Sequence, residues 1–302
     1  MTQKPESEIL FAEKQLKSLI GEEIPTVQLQ SLEATEAPFL GQVVSKLSPL
    51  LGNLMENRIV SFLNNETRNN FLWKRQDPDF PDASLRHLNG EDTGYGFEIK
   101  AWYALSTELT GRFRESANLL AKKNVKVVVV AWMMSHVIYG TPKIIDVLIV
   151  DSKELARDRD NHYHNPPDYL IVEPNDTTLR TSNLQQTNVL GYKWQETDPK
   201  LFKSASDFVA RFGTYHDPNA KESQKIAQDL MNKYAYRLDT NFAKIDRIDN
   251  EDIETFKSEV LKQIHKEKKV SEWSKLLANL LSDDEAKRTK SEEEIKMIYD
   301  NL

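Results

Sequence analysis

Eight residues near the middle of the chain, Val125–Trp132 (VKVVVVAW), join β-branched side chains with a single polar interruption. Such a run suits a strand buried on both faces, because Val loses little rotamer freedom in a pleated ladder and only Lys126 is left to face water. A strand covered on both sides needs helices or further sheet above and below it. Ile144–Val150 (IIDVLIV) reads as a second strand of this kind and Tyr169–Val172 as a third, short one. The segments around them alternate in type, so the expected class is α/β: a central mixed sheet flanked by helices.

Upstream, Leu16, Leu19 and Ile20 fall at helical spacing, and a second apolar-periodic run covers Val43–Leu63, with Pro25 and Pro38 punctuating the stretch between. From Phe80 the texture changes. Asp82–Leu88 reads as a short strand, Asn89–Gly96 (NGEDTGYG) as a turn and Phe97–Tyr103 (FEIKAWY) as the returning strand. Ser106–Lys123 is expected as a helix, with Thr107 as N-cap and Leu109, Phe113 and Leu120 on its apolar face. Beyond Ser204 the pattern is amphipathic helix: SASDFVARF, SQKIAQDLMNKYAYRL, then two charged helices, the last a solvated or fraying end. The division that follows is a helical segment over 1–44, an α/β core over 45–200 and a helical region over 201–302.

Composition removes several classes. With no cysteine among 302 residues there is no disulfide scaffold, thiolate zinc site or cysteine nucleophile. The start lacks an unbroken apolar run, so neither a signal peptide nor a membrane anchor is expected, and the chain reads as cytoplasmic. No phosphate-binding G-x-x-x-x-G-K-[ST] loop and no G-x-S-x-G elbow occurs. The net charge of −7 is spread unevenly: −6 over residues 1–99, +1 over 100–200 and −2 over 201–302. A nucleic-acid cleft is therefore best accommodated in the middle third, although charge alone does not demand one.

One cluster stands out chemically. Pro81-Asp82 is followed by Glu98-Ile99-Lys100. On a strand, Glu98 and Lys100 share one face while Ile99 points to the other, and the turn would bring Asp82 beside Glu98. Two carboxylates at close range repel, and a hard divalent cation such as Mg²⁺ relieves that repulsion with oxygen ligands. The bland alternative is a cross-strand charge pair worth ~0.2–1 kcal/mol. Against it, Phe97, Trp102 and Tyr103 flank the motif, and charges buried among aromatics are costly. In DPDFPD, Asp79 competes with Asp82, which directly precedes the strand.

Pro81-Asp82…Glu98-Ile99-Lys100 resembles the motif of the PD-(D/E)xK nuclease superfamily, whose best-populated branch is the type II restriction endonucleases. Glu56, in Gly52-Asn-Leu-Met-Glu56 on the preceding helix, matches the glutamate that this family often carries there. The order strand, strand, helix, strand also fits, over roughly residues 45–195. The resemblance implies a restriction-endonuclease-like core with helical additions at both ends. It further implies Mg²⁺-dependent, sequence-specific hydrolysis of double-stranded DNA by a homodimer. Asp82, Glu98 and the Ile99 carbonyl would hold the metal, Lys100 would position the attacking water, and Glu56 would support metal or water. A repair or junction nuclease of the same superfamily, or a non-catalytic α/β scaffold, are the competing readings.

DNA contacts are expected from three segments. Arg112 and Arg114 follow the strand bearing Glu98, and Arg157 and Arg159 lie in ARDRDNHYHNPP. Arg180, Asn183, Gln185, Gln186 and Lys193 lie in RTSNLQQTNVLGYKW, where Asn and Gln can read adenine bidentately. A helix surface or a capped structural loop explains the same residues without DNA. His162 and His164 have metal-pair spacing but lack an evident third ligand, which favours a DNA-facing loop or an ordinary polar connection.

Overall fold

The computed structural model describes residues 4–30, 37–67, 70–76, 79–106, 108–115, 117–161, 169–172, 191–194, 200, 203, 207 and 244–299. They fall into two compact units that interleave along the sequence, one from Met1–Leu109, Val125–Val150 and Glu251–Leu302, the other from Thr110–Asn124 and Asp151–Asn250. The class is α/β, as expected.

The first unit opens with three helices: α1 (Pro5–Lys17), α2 (Ala37–Lys46) and α3 (Ser48–Glu66). The run Val43–Leu63 is thus split at Leu47 between two helices, the second carrying proline at its start, where a missing N–H costs nothing. Then come β1 (Phe71–Arg75), β2 (Ala83–His87), β3 (Asp92–Tyr103), β4 (Asn124–His136) and β5 (Tyr139–Asp151), hydrogen-bonded in the order β1-β2-β3-β4-β5. β4 contains the valine run, and Val127 through Met134 have no exposed surface, which is the two-sided burial that the run predicts. Leu51, Met55, Ile59 and Leu63 of α3 supply a buried stripe at helical spacing, and both α1 and α3 pack against β3.

The sheet's edges are managed differently. Residues 21–29 run along β5, with Gly21 N–H donating to Ile144 O (2.9 Å), Ile144 N–H to Glu22 O (2.9 Å) and Ile24 N–H to Pro142 O (2.7 Å). At the opposite edge, β1 pairs antiparallel with β2 from Phe71↔His87 to Arg75↔Ala83. Sequence reading missed β1, because a five-residue FLWKR between polar stretches carries only two buried positions, Phe71 and Trp73.

β2 and β3 form the expected hairpin, with a narrower turn than NGEDTGYG suggests. Asp92–Gly96 belong to β3, where Thr93 Oγ1 donates to Leu85 O at 2.7 Å and the ladder claims the backbone. A register irregularity between Ser84 and Arg86 absorbs the mismatch.

The C-terminal part of this unit holds α6 (Glu251–Lys262), a two-residue-strand hairpin β8 (Ile264–His265) and β9 (Lys268–Lys269), α7 (Val270–Asn279) and α8 (Glu285–Tyr299). Three helices and a hairpin therefore replace the expected two charged helices. Lys266 and Glu267 both have positive φ, 48° and 67°, so the reversal is a left-handed two-residue turn that no glycine or asparagine announces. Phe256 of α6 packs on Trp102 with ring centroids 6.0 Å apart, and Ser274 of α7 donates to Leu105 O at 3.1 Å. The two amphipathic segments expected after Ser204 lie outside the described residues, apart from Asp207.

The second unit contains α4 (Ala117–Leu120), α5 (Ser152–Asn161), β6 (Tyr169–Val172) and β7 (Gly191–Trp194). The helix expected over Ser106–Lys123 is corrected here to the single turn of α4. Gly111 weakens a helix by ~1 kcal/mol, and tertiary pairing takes the backbone instead: Ile245 N–H donates to Gly111 O at 2.8 Å and Arg112 bridges to Lys244. Thr107 lies outside the described residues. Tyr169–Val172 is a strand, but it pairs in parallel with Gly191–Trp194 as a separate two-stranded sheet.

Candidate active site

The β2–β3 hairpin brings Asp82, Glu98 and Lys100 together. Asp82 immediately precedes β2, and the pairing Ala83↔Phe97 sets it level with Glu98 on β3. Ile99 N–H donates to Asp82 Oδ2 at 2.7 Å, and Asp82 N–H to Glu98 Oε2 at 3.3 Å. Lys100 Nζ donates to Glu98 Oε1 at 2.6 Å and to Asp82 Oδ2 at 3.4 Å. Their side chains are only 17%, 13% and 16% exposed, in the order Asp82, Glu98, Lys100. Ile99 points the other way and is buried, as strand alternation requires. Of the two aspartates in DPDFPD, Asp82 is the one beside Glu98, while Asp79 is exposed.

A close approach makes this hairpin feasible. Gly96 lies opposite Ser84, and a Cβ there would stand 2.5 Å from Ala83 O and 2.6 Å from Pro81 Cγ. Only a residue without Cβ lets β3 come so near the chain that carries Asp82.

Electrostatics distinguishes the three groups. Burial, then the neighbouring Glu98 carboxylate, pushes Asp82 up to about 7, although Lys100 and the Ile99 N–H oppose the rise. Burial alone would lower Lys100, but Glu98 and Asp82 together hold it well above its ordinary value. Lys100 is therefore an ammonium at neutral pH, a donor and a positive charge rather than a base.

Glu56, on α3, acts on the cluster through its charge and is itself bonded to Arg75. Arg75 at the end of β1 donates to Glu56 Oε2 through Nε (3.2 Å) and Nη2 (2.8 Å), and Nη2 also meets Asn53 Oδ1 at 2.9 Å. The Glu56 charge contributes to the rise at both Asp82 and Lys100. Arg75 was missed in the sequence; a lone arginine at a strand end carries no signal until its partner on α3 is placed.

Among the described residues, no group of three or more His, Asp or Glu side chains is arranged to hold a metal ion. The donor chemistry still fits one hard cation: Asp82 and Glu98 present paired carboxylate oxygens, Asp82 Oδ1 accepts no hydrogen bond from a described residue, and burial, then the Glu98 charge, makes an ionised Asp82 costly unless a cation offsets it.

The residues expected to touch DNA are placed as follows. Arg112, Arg114, Arg157 and Arg159 belong to the second unit. Arg159 is 1% exposed there, donating to Phe113 O at 2.8 Å with its guanidinium 5.7 Å from the Phe113 ring centre. Its observed role is to pack that unit, and it offers no open surface to a phosphate. Arg157 is exposed, while Arg112 and Arg114 are half-buried. Lys193 stands opposite Ile171 in the small sheet. Arg180, Asn183, Gln185 and Gln186 lie outside the described residues, as do His162 and His164.

Also among the described residues, no helix is long and apolar enough to cross a membrane. Compared with family models, curated proteins and solved structures, the chain matches none of them.

Proposed function

We propose that this chain is a Mg²⁺-dependent endonuclease of the PD-(D/E)xK type that cuts double-stranded DNA at specific sequences, as type II restriction enzymes do. The observation carrying the proposal is the Asp82–Glu98–Lys100 cluster on adjacent strands, with Ile99 N–H fixing Asp82 at 2.7 Å. Around it stand a helix bearing Glu56, a three-strand antiparallel set and a following buried strand β4. That arrangement supports a restriction-endonuclease-like core.

In this reading Asp82, Glu98 and the Ile99 carbonyl hold the Mg²⁺. The ion supplies charge stabilisation on the phosphate and a lowered pKa for a bound water. The chain's own residues do the rest. Ile99 N–H fixes the direction of the Asp82 carboxylate, so one ligand oxygen is set before substrate arrives. Lys100, kept cationic by Glu98 and Asp82, donates a hydrogen bond to the attacking water or to a phosphate oxygen and balances charge that develops there. No side chain forms a covalent intermediate. Cutting both strands calls for two such sites, and a homodimer on a palindromic sequence provides them. The expected setting is the cytoplasm.

The test is incubation of the purified protein with unmethylated phage-length DNA, with and without Mg²⁺. Discrete fragments that need Mg²⁺ are expected. A smear would replace sequence-specific cleavage with a non-specific or structure-directed nuclease, and intact DNA across several divalent metals would overturn the nuclease reading.

A further inference from the structure

Glu56 is closely associated with the candidate site yet takes no part in its hydrogen bonds. Two donors of Arg75 converge on Glu56 Oε2, at 2.8 and 3.2 Å, and the same guanidinium meets Asn53 one helical turn earlier on α3. The next residue, Gln76, donates its main-chain N–H to Asp82 O at 2.8 Å. The end of β1 therefore grips α3 through Arg75 and the Asp82 segment through Gln76. Glu56 Oε1 accepts no hydrogen bond from a described residue, and the Glu56 charge is felt at Asp82 and Lys100. Even so, Glu56 does not complete a three-carboxylate metal set.

We infer that Arg75 is a positioning residue that parks Glu56 outside the metal's ligand set, so that the site offers a cation two carboxylates instead of three. This rests on the reading of Asp82 and Glu98 as metal ligands. The physical consequence is a weaker cation site with more coordination positions left for water and phosphate. Mg²⁺ sites that act on phosphates characteristically use one or two carboxylates and keep several waters, whereas added carboxylates raise affinity by charge count. Arg75 acts through Glu56 and touches no reacting atom. Neutralising Arg75 frees Glu56 to turn toward the pair and removes a positive charge from a cation's surroundings.

The experiment is calorimetric titration of Mn²⁺ and Mg²⁺ into the full-length chain, without DNA, for wild type, Arg75→Met, Glu56→Gln and the double variant. Methionine keeps an unbranched stem, and Arg75→Lys serves as a second variant that retains the charge without the fork. Arg75→Met is expected to bind the divalent ion about tenfold tighter or more, since a unit charge within several ångströms of a divalent ion is worth at least that at protein-like screening. Arg75→Lys is expected to stay near wild type. In the Glu56→Gln background the gain from Arg75→Met should shrink to the smaller part that the lost charge alone supplies, which a purely structural role would not produce. Unchanged or weaker binding by Arg75→Met overturns the inference while leaving the metal reading intact. A gain of undiminished size without Glu56 also overturns it, because the effect is then only the field of the lost charge. Absence of any divalent binding in wild type that Asp82→Asn abolishes would instead remove the metal reading, and this inference with it.

Discussion

Asp82 and Glu98 are held by one another's strands: Asp82 Oδ2 accepts the N–H of Ile99 at 2.7 Å, and Glu98 Oε2 accepts the N–H of Asp82 at 3.3 Å. Each carboxylate is oriented by backbone from the other side of the hairpin, so the pair depends on how closely β3 approaches the chain before β2. Gly96 sets that approach. Gly96→Ala would place a methyl 2.5 Å from Ala83 O and 2.6 Å from Pro81 Cγ, one contact being backbone and the other a ring, and neither can swing away. Overpacking of this kind costs about 1–3 kcal/mol. Chemical denaturation should show that loss. Divalent-cation binding should weaken further than stability alone accounts for, because the displaced segment carries Asp82. Wild-type stability in the variant would mean that the hairpin relaxes freely.

Lys100 is the sole cation bonded to the Asp82–Glu98 pair among the described residues. On the proposed nuclease reading, Lys100→Ala removes the donor that would orient water or stabilise phosphate charge, and such a loss is expected to slow cleavage by ~10²–10⁴-fold, with duplex binding retained. Cleavage rates with matched gel-shift measurements separate the two effects. A variant that cuts at the wild-type rate would relocate the active site.

Asp82 gives the metal-free protein a pH signature. Its folded-state pKa is raised to about 7 by burial and then by Glu98, against 3.8 for the ordinary group. Between those values the folded chain holds a proton that the unfolded chain has released, so stability falls as pH rises through that window. The contribution reaches roughly 4 kcal/mol at most, at about 1.4 kcal/mol per pH unit. Lys100 stays protonated in both states across this range and adds no slope. Denaturant midpoints measured from pH 4 to pH 8 should therefore decline for wild type. Asp82→Asn should flatten the curve and be the more stable protein at pH 8. Mg²⁺ should restore wild-type stability at pH 8 and do little at pH 5, where protons already occupy the group. A flat wild-type profile would mean that Asp82 is ionised without penalty.

How much of this was legible in the sequence follows from which interactions are local. The valine run of β4 forecasts its own burial because two-sided packing leaves no polar position, and Glu98, Ile99 and Lys100 divide between two faces by strand alternation alone. Asp82 beside Glu98 was readable because one short hairpin joins them. The expected helix over Ser106–Lys123 failed because Gly111 and Arg112 pair with residues more than a hundred positions away, Lys244 and Ile245, which no local pattern announces. Arg159 carries the same lesson. A charged residue in an Arg-rich stretch reads as surface, yet its partner is the Phe113 carbonyl and ring. Arg75 was invisible for the converse reason, since its meaning lies wholly in Glu56 and Asn53 of a neighbouring helix.

Asn64 illustrates a device that only the structure reveals. Its side-chain amide donates to Trp73 O at 2.8 Å and accepts the Trp73 N–H at 2.8 Å, so it occupies the place of a neighbouring strand on the outer side of β1. β1 is an edge strand, and unpaired edges invite a second chain. Asn64→Ala would leave both Trp73 backbone groups without that partner and is expected to cost about 1–3 kcal/mol. The exposed pair would also favour association through β1. Sedimentation velocity should then show a concentration-dependent heavier species in the variant beyond whatever assembly the wild type forms. Introducing Trp73→Pro into that background should suppress it if the protein still folds, because proline removes the exposed donor. A variant with unaltered sedimentation and full stability would mean that water replaces the amide at no cost, and that the edge is protected by its shortness alone.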